Sequence, residues 1–505
     1  MSNQLRPREE RTPVHRISRT IVPSGVMMLA AVLMLAPAST FAQQADDVPA
    51  GSEAMSQLAS LGESDDAFAG GSSLPSLPNL FQRALEHDAQ LSRQRFELEA
   101  TEQEVPIARS HLLPDVSASA SYLWQDSTNI QTSPEDFDLD QPAQRPGEID
   151  ETFWQVQLRQ PLFSLERWRG MERARAQVGV AELDLALAER ELALQVSEAY
   201  VNAYLSSRKL GLLEAQQEAL ELQAHQAQRA FDLGVGDRIN LLEASSRMDQ
   251  AIADAVLAEN ELDDALNELE RLTGVSPDFG STQLGDLSAA DVQQDWGDEA
   301  DWMERIGNNL SVLRALAERQ ATDSDTRVRR GGYYPELDLS LSYSDRDSHD
   351  ELRTSEDYRA SLELSVPIYR GGRTRASVRQ GELRTMASQE ALDNERNLAR
   401  QEVRHRLRSL NGSVRRLDAL NRAIESSELF LQAAERGEQL GLRDLVDVLD
   451  ARASLYDQRI QFVDTLGRYV LDRLVLHSAV GALGSEDLEQ VMALLIRISH
   501  SPTAE

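Results

Sequence analysis

The chain repeats three sequence landmarks in the same order, as expected of a tandem duplication of one large unit. Each landmark of the first copy has a counterpart in the second. The pairs are residues 111–116 with 332–337, 160–163 with 366–369, and 233–244 with 440–451. A repeat of about 200 residues is far longer than the unit of a solenoid protein. The fold must therefore be built from two similar halves.

Within each copy, the hydrophobic pattern changes from helical to strand-like. A helical stretch at 77–110 is followed by strict alternation at 116–124 and again at 154–162; the second copy alternates at 337–343 and 358–366. The apolar faces end in aromatic residues and the opposite faces are polar, as in strands between lipid and water. One half of a soluble sandwich is the alternative. We disfavour it because four strands of this length cannot close by themselves and a long apolar edge would aggregate.

Two very long helices are predicted at 166–231 and 373–438, and each is followed by a shorter returning helix, at 238–273 and 445–480. A coiled-coil seam follows a 4-3 spacing. Its residues in the first long helix are Leu192, Val196, Ala199, Ala203, Leu210, Leu213 and Leu220. A helix of about 65 residues spans about 100 Å, several times a bilayer's thickness, so it must cross aqueous space. The predicted fold class is mostly α, a long antiparallel coiled coil with four strands.

The N-terminus predicts export. Arg16 and Arg19 precede an apolar run, and residues 40–42 (Thr-Phe-Ala) form a small-residue cleavage site, so we interpret residues 1–42 as a secretory signal peptide. A retained anchor is the alternative, but the run is shorter than the 18 to 20 or so residues of a spanning helix. The chain has no cysteine, which excludes a disulfide, a thiolate metal site and a lipidated cysteine.

Composition shifts along the chain predict six segments. They are the signal peptide at 1–42, a flexible Gly/Ser-rich leader at 43–75, a first repeat at 76–274, a linker at 275–300, a second repeat at 301–483 and a C-terminal tail at 484–505 with a short helix. The acidic segments 125–151 and 345–357 are predicted to be strand-joining loops outside the cell.

Several functional classes are disfavoured by the residues alone. The formal net charge of −33 repels nucleic acid. The eight histidines are scattered, and no metal-ligand spacing, phosphate loop or nucleophile motif is present, so we predict no enzymatic activity, no cofactor and no metal site. A coiled-coil structural protein of the periplasm would explain the helices but not the duplicated strands. A passive conduit explains both.

The order of these elements resembles the TolC-like outer-membrane efflux proteins from about Leu77 to Gly484. The shared pattern is a helix, Leu-Pro before a strand, a strand ending in Pro-Leu-Phe or Pro-Ile-Tyr, a long helix, a glycine turn and residues 446–451, which contain Asp-Val-Leu-Asp-Ala. The resemblance implies a homotrimer in the bacterial outer membrane. Four strands from each chain would form a twelve-stranded β-barrel in lipid, continued by a periplasmic tunnel of helices.

Site residues follow from the same resemblance. Asp447 and Asp450 match carboxylates that ring the pore constriction, and their spacing of three places both on one helix face. Arg443 matches a basic residue of the closed-state lock, whereas Glu438 and Asn240 stand where the family often has an aromatic and an acid. The tips expected to meet the adaptor are Gly234, Val235, Gly236, Gly441 and Leu442.

A simpler role is open to four acids at these turns. Asp237 and Asp444 begin helices and are favoured as N-caps, each worth about 1 kcal/mol. Asp447 and Asp450 would be favoured in a first turn by the helix dipole, but their match to the family motif favours the constriction.

The resemblance implies an exit duct of a tripartite efflux pump that passes drugs, solvents and other toxic small molecules. Its partners would be a periplasmic adaptor (membrane fusion) protein and an inner-membrane transporter. The alternative is the outer-membrane component of a type I protein secretion system, and a soluble periplasmic coiled-coil protein ranks below both.

Overall fold

The computed structural model describes residues 74–126, 149–279, 292, 295–348 and 354–499. All of them lie in one of the chain's two units, Ala50–Glu505. The predicted signal peptide, nearly all of the leader, and most of the first strand-joining loop fall outside the described residues. Parts of the linker, of the second loop and of the C-terminal tail fall outside them too.

The described residues form ten α-helices and four strands. In chain order they are α1 Leu77–His87, α2 Ala89–Glu102, α3 Glu104–Ser110, β1 Asp115–Gln125, β2 Ile149–Ser164, α4 Leu165–Asp232, α5 Arg238–Thr273, α6 Glu299–Glu304, α7 Leu310–Gly331, β3 Glu336–Ser348, β4 Ser355–Ser365, α8 Arg373–Gln439, α9 Leu445–Ala479 and α10 Ser485–Ser499. This order repeats a helical segment, two strands, one very long helix and one returning helix, which confirms the predicted fold class and internal duplication.

The helical stretch at 77–110, predicted as one pattern, is divided into three helices. Asp88 has an extended backbone, with ψ of 118°, and its side chain accepts a hydrogen bond of 2.6 Å from the N–H of Leu91. An aspartate that caps a new helix in this way competes with continuation of the preceding one. Gln103 makes the second break.

The strands form one antiparallel sheet in the order β1-β2-β3-β4. A single row across all four strands joins Ala118, Val156, Tyr343 and Tyr358. All four lie on the face predicted to be apolar, so the alternation continues from strand to strand. A bulge after Pro161 shifts the register and brings Phe163, rather than Leu162, opposite Leu337.

Much of the apolar face has no cover within the chain. Tyr122, Tyr358, Leu362 and Leu364 are between 63% and 71% exposed. Among the described strands, β1 pairs only with β2 and β4 only with β3, so the two outer strands keep one unpaired edge each.

No helix in the described ranges contains a stretch long and apolar enough to cross a membrane.

The main core lies where α1 and α10 pack against α4, α5, α8 and α9. Tyr200, Tyr204 and Tyr469 are almost fully buried there. Burial raises the pKa of Tyr200, whose hydroxyl stays protonated and donates a hydrogen bond of 2.7 Å to the carbonyl of Pro75. The α10 helix contributes Val491 and Leu495, both fully buried, so the C-terminal segment is part of this core.

The two repeats are joined through α7, which packs against both α4 and α8. Gly331, at the end of α7, lies so close to α4 that an added Cβ would stand 2.7 Å from the Cα of Glu166. Farther along, a Cβ at Gly381 of α8 would lie 2.7 Å from Oγ1 of Thr326 in α7. Glycines therefore allow α7 to approach the long helices of both repeats closely.

We predict that Gly331→Ala destabilises the protein because its methyl group would meet helix backbone, which cannot give way as a side chain can. Overpacking of this kind costs about 1 to 3 kcal/mol. Gly412→Ala in α8 is the matched control, since nothing lies within 4 Å of its added methyl and alanine is favoured over glycine in a helix by about 1 kcal/mol. Thermal unfolding followed by circular dichroism should show a lower Tm for the first variant only. An unchanged Tm in Gly331→Ala would contradict the close approach.

Candidate functional site

The two turns that end the long helices have the same backbone conformation. Residues 233–237 join α4 to α5, and residues 440–444 join α8 to α9. Gly234 and Gly441 stand at equivalent positions with φ of 72° and 71°. This left-handed conformation strains any residue with a Cβ, and it ends each long helix at the same point.

Apolar side chains project from both turns. Leu233, Val235, Leu440 and Leu442 are between 74% and 81% exposed. Val235 and Leu442 were predicted as tip residues from the sequence, and the leucine preceding each glycine extends the same surface. Each turn thus presents two exposed apolar side chains on a glycine loop.

In each turn, one residue packs closely against the end of the long helix, and the two turns differ in where the glycine lies that permits this contact. In the first, Gly236 stands where a Cβ would lie 2.8 Å from the Cβ of Ala230. In the second, Arg443 takes the place of Gly236, and Gly437 takes the place of Ala230; a Cβ on Gly437 would lie 2.8 Å from Cγ of Arg443. In the second copy, the glycine therefore lies in the helix and not in the turn, and this leaves space for an arginine in the turn.

Arg443 occupies this space and contacts residues of α8 and α9, the two helices that its turn joins. Its guanidinium lies 5.6 Å from the ring centroid of Phe430 and 3.4 Å from Oδ2 of Asp447. The predicted lock partners Glu438 and Asn240 make no side-chain hydrogen bond or ion pair in the described part of this chain. Their role in a lock stays a prediction, and Phe430 is a contact that the sequence did not indicate.

Asp450 is held by the other repeat. Nη2 of Arg247 in α5 lies 2.8 Å from Oδ1 of Asp450 in α9, and Nε of Arg247 lies 3.0 Å from Glu243. Glu243 and Asp450 occupy equivalent positions in the two copies. One arginine therefore binds the corresponding carboxylate of each repeat. We name Glu243, Arg247 and Asp450 the tip triad. Arg247 was missed from the sequence because Ser454 stands at its position in the second copy.

The predicted N-caps behave differently from each other. Oδ1 of Asp237 accepts a hydrogen bond of 3.2 Å from the N–H of Ile239 and caps α5. Asp444 stands at the start of α9, but its side chain makes no capping bond. Asp447 and Asp450 are 46% and 60% exposed at the side chain, so both carboxylates are open to solvent in this chain.

Farther from the turns, ion pairs also join the two helices of each repeat. Arg452 bridges α9 to Glu435 of α8 at 2.7 Å, while Lys209 bridges α4 to Glu261 of α5 at 2.7 Å. These pairs lie within a repeat, whereas the tip triad spans the two. In the described ranges, no group of three or more histidine, aspartate or glutamate side chains could hold a metal ion.

The family model described as outer membrane efflux protein matches residues 80–275 and 304–482. The two matched regions correspond to the two copies of the structural unit.

Proteins similar to this chain include two curated relatives. The outer membrane protein TolC of Escherichia coli (strain K12) is 26% identical over 450 residues, which cover 85% of this chain and 86% of TolC. The proteases secretion protein PrtF of Dickeya chrysanthemi is 27% identical over 429 residues, covering 83% of this chain and 90% of PrtF.

Among solved structures, the Campylobacter jejuni CmeC outer membrane channel has a similar fold. The TM-score is 0.68 at 16% sequence identity, and the match covers 87% of this chain and 95% of that one. At this identity, the likeness concerns the fold alone.

We predict that Arg247→Gln loosens the two coils at their tips without unfolding the protein. Exposed ion pairs contribute less than about 1 kcal/mol, so global stability should hardly change. Because the chain has no cysteine, spin labels at Val235→Cys and Leu442→Cys would report on the tips alone. Electron–electron double resonance should show a broader distance distribution in Arg247→Gln.

The matched control is Arg422→Gln, which removes an exposed ion pair with Asp418 within α8 and should leave the distribution unchanged. A distribution as narrow in Arg247→Gln as in the parent would mean that the tip triad does not restrain the turns.

Proposed function

Because the chain belongs to the outer membrane efflux protein family, we propose that it is the outer-membrane exit duct of a tripartite efflux pump and passively conducts toxic small molecules out of the cell. The observation that carries the proposal is the match of both repeats to this family together with a sheet that is followed in each repeat by a very long helix, of 68 and 67 residues. The family is one of channel proteins, not of enzymes.

The sheet supports a trimer in the membrane. Backbone groups in lipid need hydrogen-bond partners, and a closed barrel leaves no edge. Pairing β4 of one copy with β1 of the next would close the sheet, and three copies would give twelve strands. Tyr358 and Leu362 would then face lipid from β4, while Ser361 and Glu363 would line the aqueous interior.

The helices support a path across the periplasm. At a rise of 1.5 Å per residue, α4 extends about 100 Å from the sheet to its turn. A periplasmic adaptor would meet the exposed tip residues, and an inner-membrane transporter would supply the energy for transport. The chain itself would need no catalytic group and no cofactor.

The tip is the proposed gate. Asp447 and Asp450 would form rings of carboxylates at the narrow end of the tunnel, and the tip triad would hold the ring of Asp450 against the other repeat. In the trimer, Arg443 would act with Glu438 and Asn240 between neighbouring coils. Opening would then require the coils of α8 and α9 to move away from those of α4 and α5.

Type I protein secretion is the second candidate, because one of the similar proteins is named as a proteases secretion protein. A duct of the same construction would serve either purpose, since the choice of cargo lies with the transporter. Loss of the duct distinguishes the two functions, because the cell would retain either small toxic compounds or a protein that is normally secreted.

Deletion of the gene should make the host more susceptible to small toxic compounds, and the intact chain should restore resistance. A chain with Leu362→Pro is the control, because proline removes a backbone donor from β4 and blocks closure of the barrel. Light scattering in detergent should give a trimer for the parent chain and not for this variant. Normal susceptibility combined with loss of a secreted protein would favour secretion instead.

We predict that Asp447→Ala with Asp450→Ala reduces the cation preference of the pore and abolishes most of its block by multivalent cations. Close carboxylates around a narrow mouth concentrate cations, so their removal should act on selectivity and not on assembly. Single-channel recording in planar bilayers measures both quantities.

The control for this pair is Asp418→Ala with Asp464→Ala, which removes the same charge from α8 and α9. These residues lie about 30 Å along the helices from the turn and should leave block unchanged. If the tip variant keeps the selectivity and block of the parent, Asp447 and Asp450 are first-turn helix acids only.

A further inference from the structure

The helices carry an open cleft of about 560 Å³ next to the sheet. It is bounded by three helices and by the turn that leads into β3. Its lining residues are Arg169, Arg327, Arg330, Tyr333, Tyr334 and Val378. Three guanidinium groups and two phenol rings thus converge on one site in a chain whose net charge is −33.

The positive charge of the cleft is only partly neutralised. Arg327 is paired with Asp323 at 2.6 Å, and Arg330 with Glu382 at 3.1 Å. Hydrogen bonds from Arg330 and Arg379 hold the pKa of Glu382 below its usual value, so this carboxylate remains charged.

Arg169 is not paired with a carboxylate in the described part of the chain. Its Nη1 donates a hydrogen bond of 3.0 Å to the backbone carbonyl of Arg327, which fixes the side chain without cancelling its charge. A guanidinium has five N–H donors, so most of those on Arg169 remain for a ligand. Its forked geometry matches the oxygens of a phosphate.

With the sheet spanning the hydrocarbon, as the proposed function places it, the cleft would lie at the depth of lipid headgroups. Arg169 follows the end of β2 by five residues, and Tyr334 precedes β3 by two. On a helix, five residues correspond to about 7.5 Å. The headgroup region on each side of the hydrocarbon is about 5 to 8 Å thick. Tyr333 and Tyr334 are 52% and 48% exposed, as expected of rings at a membrane interface.

Arg169 points away from the polar face of the sheet. Arg167 lies 3.8 Å from Asp338, which belongs to the polar face of β3. Two residues along a helix correspond to a rotation of about 200°. Arg169 therefore lies on the side of α4 away from Asp338 and the polar face of the sheet.

We propose that this cleft binds the headgroup phosphate of an anionic phospholipid in the periplasmic leaflet of the membrane. The three arginines bind the phosphate oxygens, the two tyrosines lie against the glycerol region, and the acyl chains run along the apolar face of the sheet. The inference rests on the proposed function, because that function places the sheet in the membrane. Its consequence is a fixed depth for the junction between sheet and helices.

The test uses the trimer reconstituted in nanodiscs that contain phosphatidylethanolamine with a minor fraction of phosphatidylglycerol. Spin-labelled forms of both lipids report their relative affinity for the protein surface. The parent should prefer phosphatidylglycerol, and Arg169→Gln should weaken that preference about fivefold, the effect of one basic residue at an anionic surface. Arg169→Glu should abolish it.

Arg400→Gln is the matched control. This arginine lies on α8, about 40 Å from the start of that helix, and donates a hydrogen bond of 3.0 Å to Asn397 of the same helix. Its lipid preference should equal that of the parent. An unchanged preference in Arg169→Gln would overturn the proposal, as would displacement of the labelled lipid by inorganic phosphate alone. A change in ion selectivity without a change in lipid preference would place Arg169 in the pore and would also overturn it.

Single-channel conductance of the same preparations separates this inference from the proposed function. A parent trimer that conducts but shows no preference for phosphatidylglycerol refutes the lipid site and leaves the duct intact. A parent chain that neither forms a trimer nor conducts refutes both. Because the hydrogen bond of Arg169 within the described residues is to a backbone carbonyl, its variants should assemble as the parent does, and conductance verifies this for each of them.

Discussion

The backbone hydrogen bonds of the four-stranded sheet constrain the rest of the molecule. Each outer strand has one edge without a partner in the described chain, and one face of the sheet exposes aromatic and aliphatic side chains. Neither feature is stable in water, and an open edge is not tolerated in lipid. Closure with other copies resolves both, and the helices that continue from the strands must then surround a common axis.

Both repeats contribute the same set of elements to this arrangement. Each repeat supplies two strands, one long helix and a returning helix, and α7 of the second repeat packs between the long helices of both. Glycine at Gly331 and Gly381 allows that packing. The two halves differ at the turns, where Gly236 in one copy is replaced by Arg443 in the other. The asymmetry gives only the second turn an arginine that contacts Phe430 and Asp447.

The two ends of the molecule use charge differently. At the turns, carboxylates are exposed and a single arginine binds acids from both repeats. In the cleft near the sheet, the lining includes three arginines and two tyrosines. The first arrangement suits a constriction that attracts cations and can separate. The second suits a surface that stays in contact with anionic headgroups, so the distribution of charge, not its total, carries the functional distinction.

Local sequence determined the elements and their order. Period-two alternation identified all four strands, and the bounds of α5 agree with the structure at both ends, because a glycine turn and Gly274 stop the helix where the pattern stops. The repeated glycine turns and the acids after them were also evident from the residues. Their spacing alone placed Asp447 and Asp450 on one helix face.

Contacts between repeats were decided only in the tertiary structure. Nothing in the periodicity of α5 indicates that Arg247 binds Asp450, because the pair depends on how two separate coils are rotated against each other. The break at Asp88 and the bulge after Pro161 likewise result from local competition that a regular pattern does not reveal. The cleft at Arg169 joins residues far apart in the chain, and only the packing of α7 against α4 and α8 brings them together. Sequence thus determines what each segment can become, since periodicity is local, whereas the pairing of faces depends on distant residues and needs the folded chain.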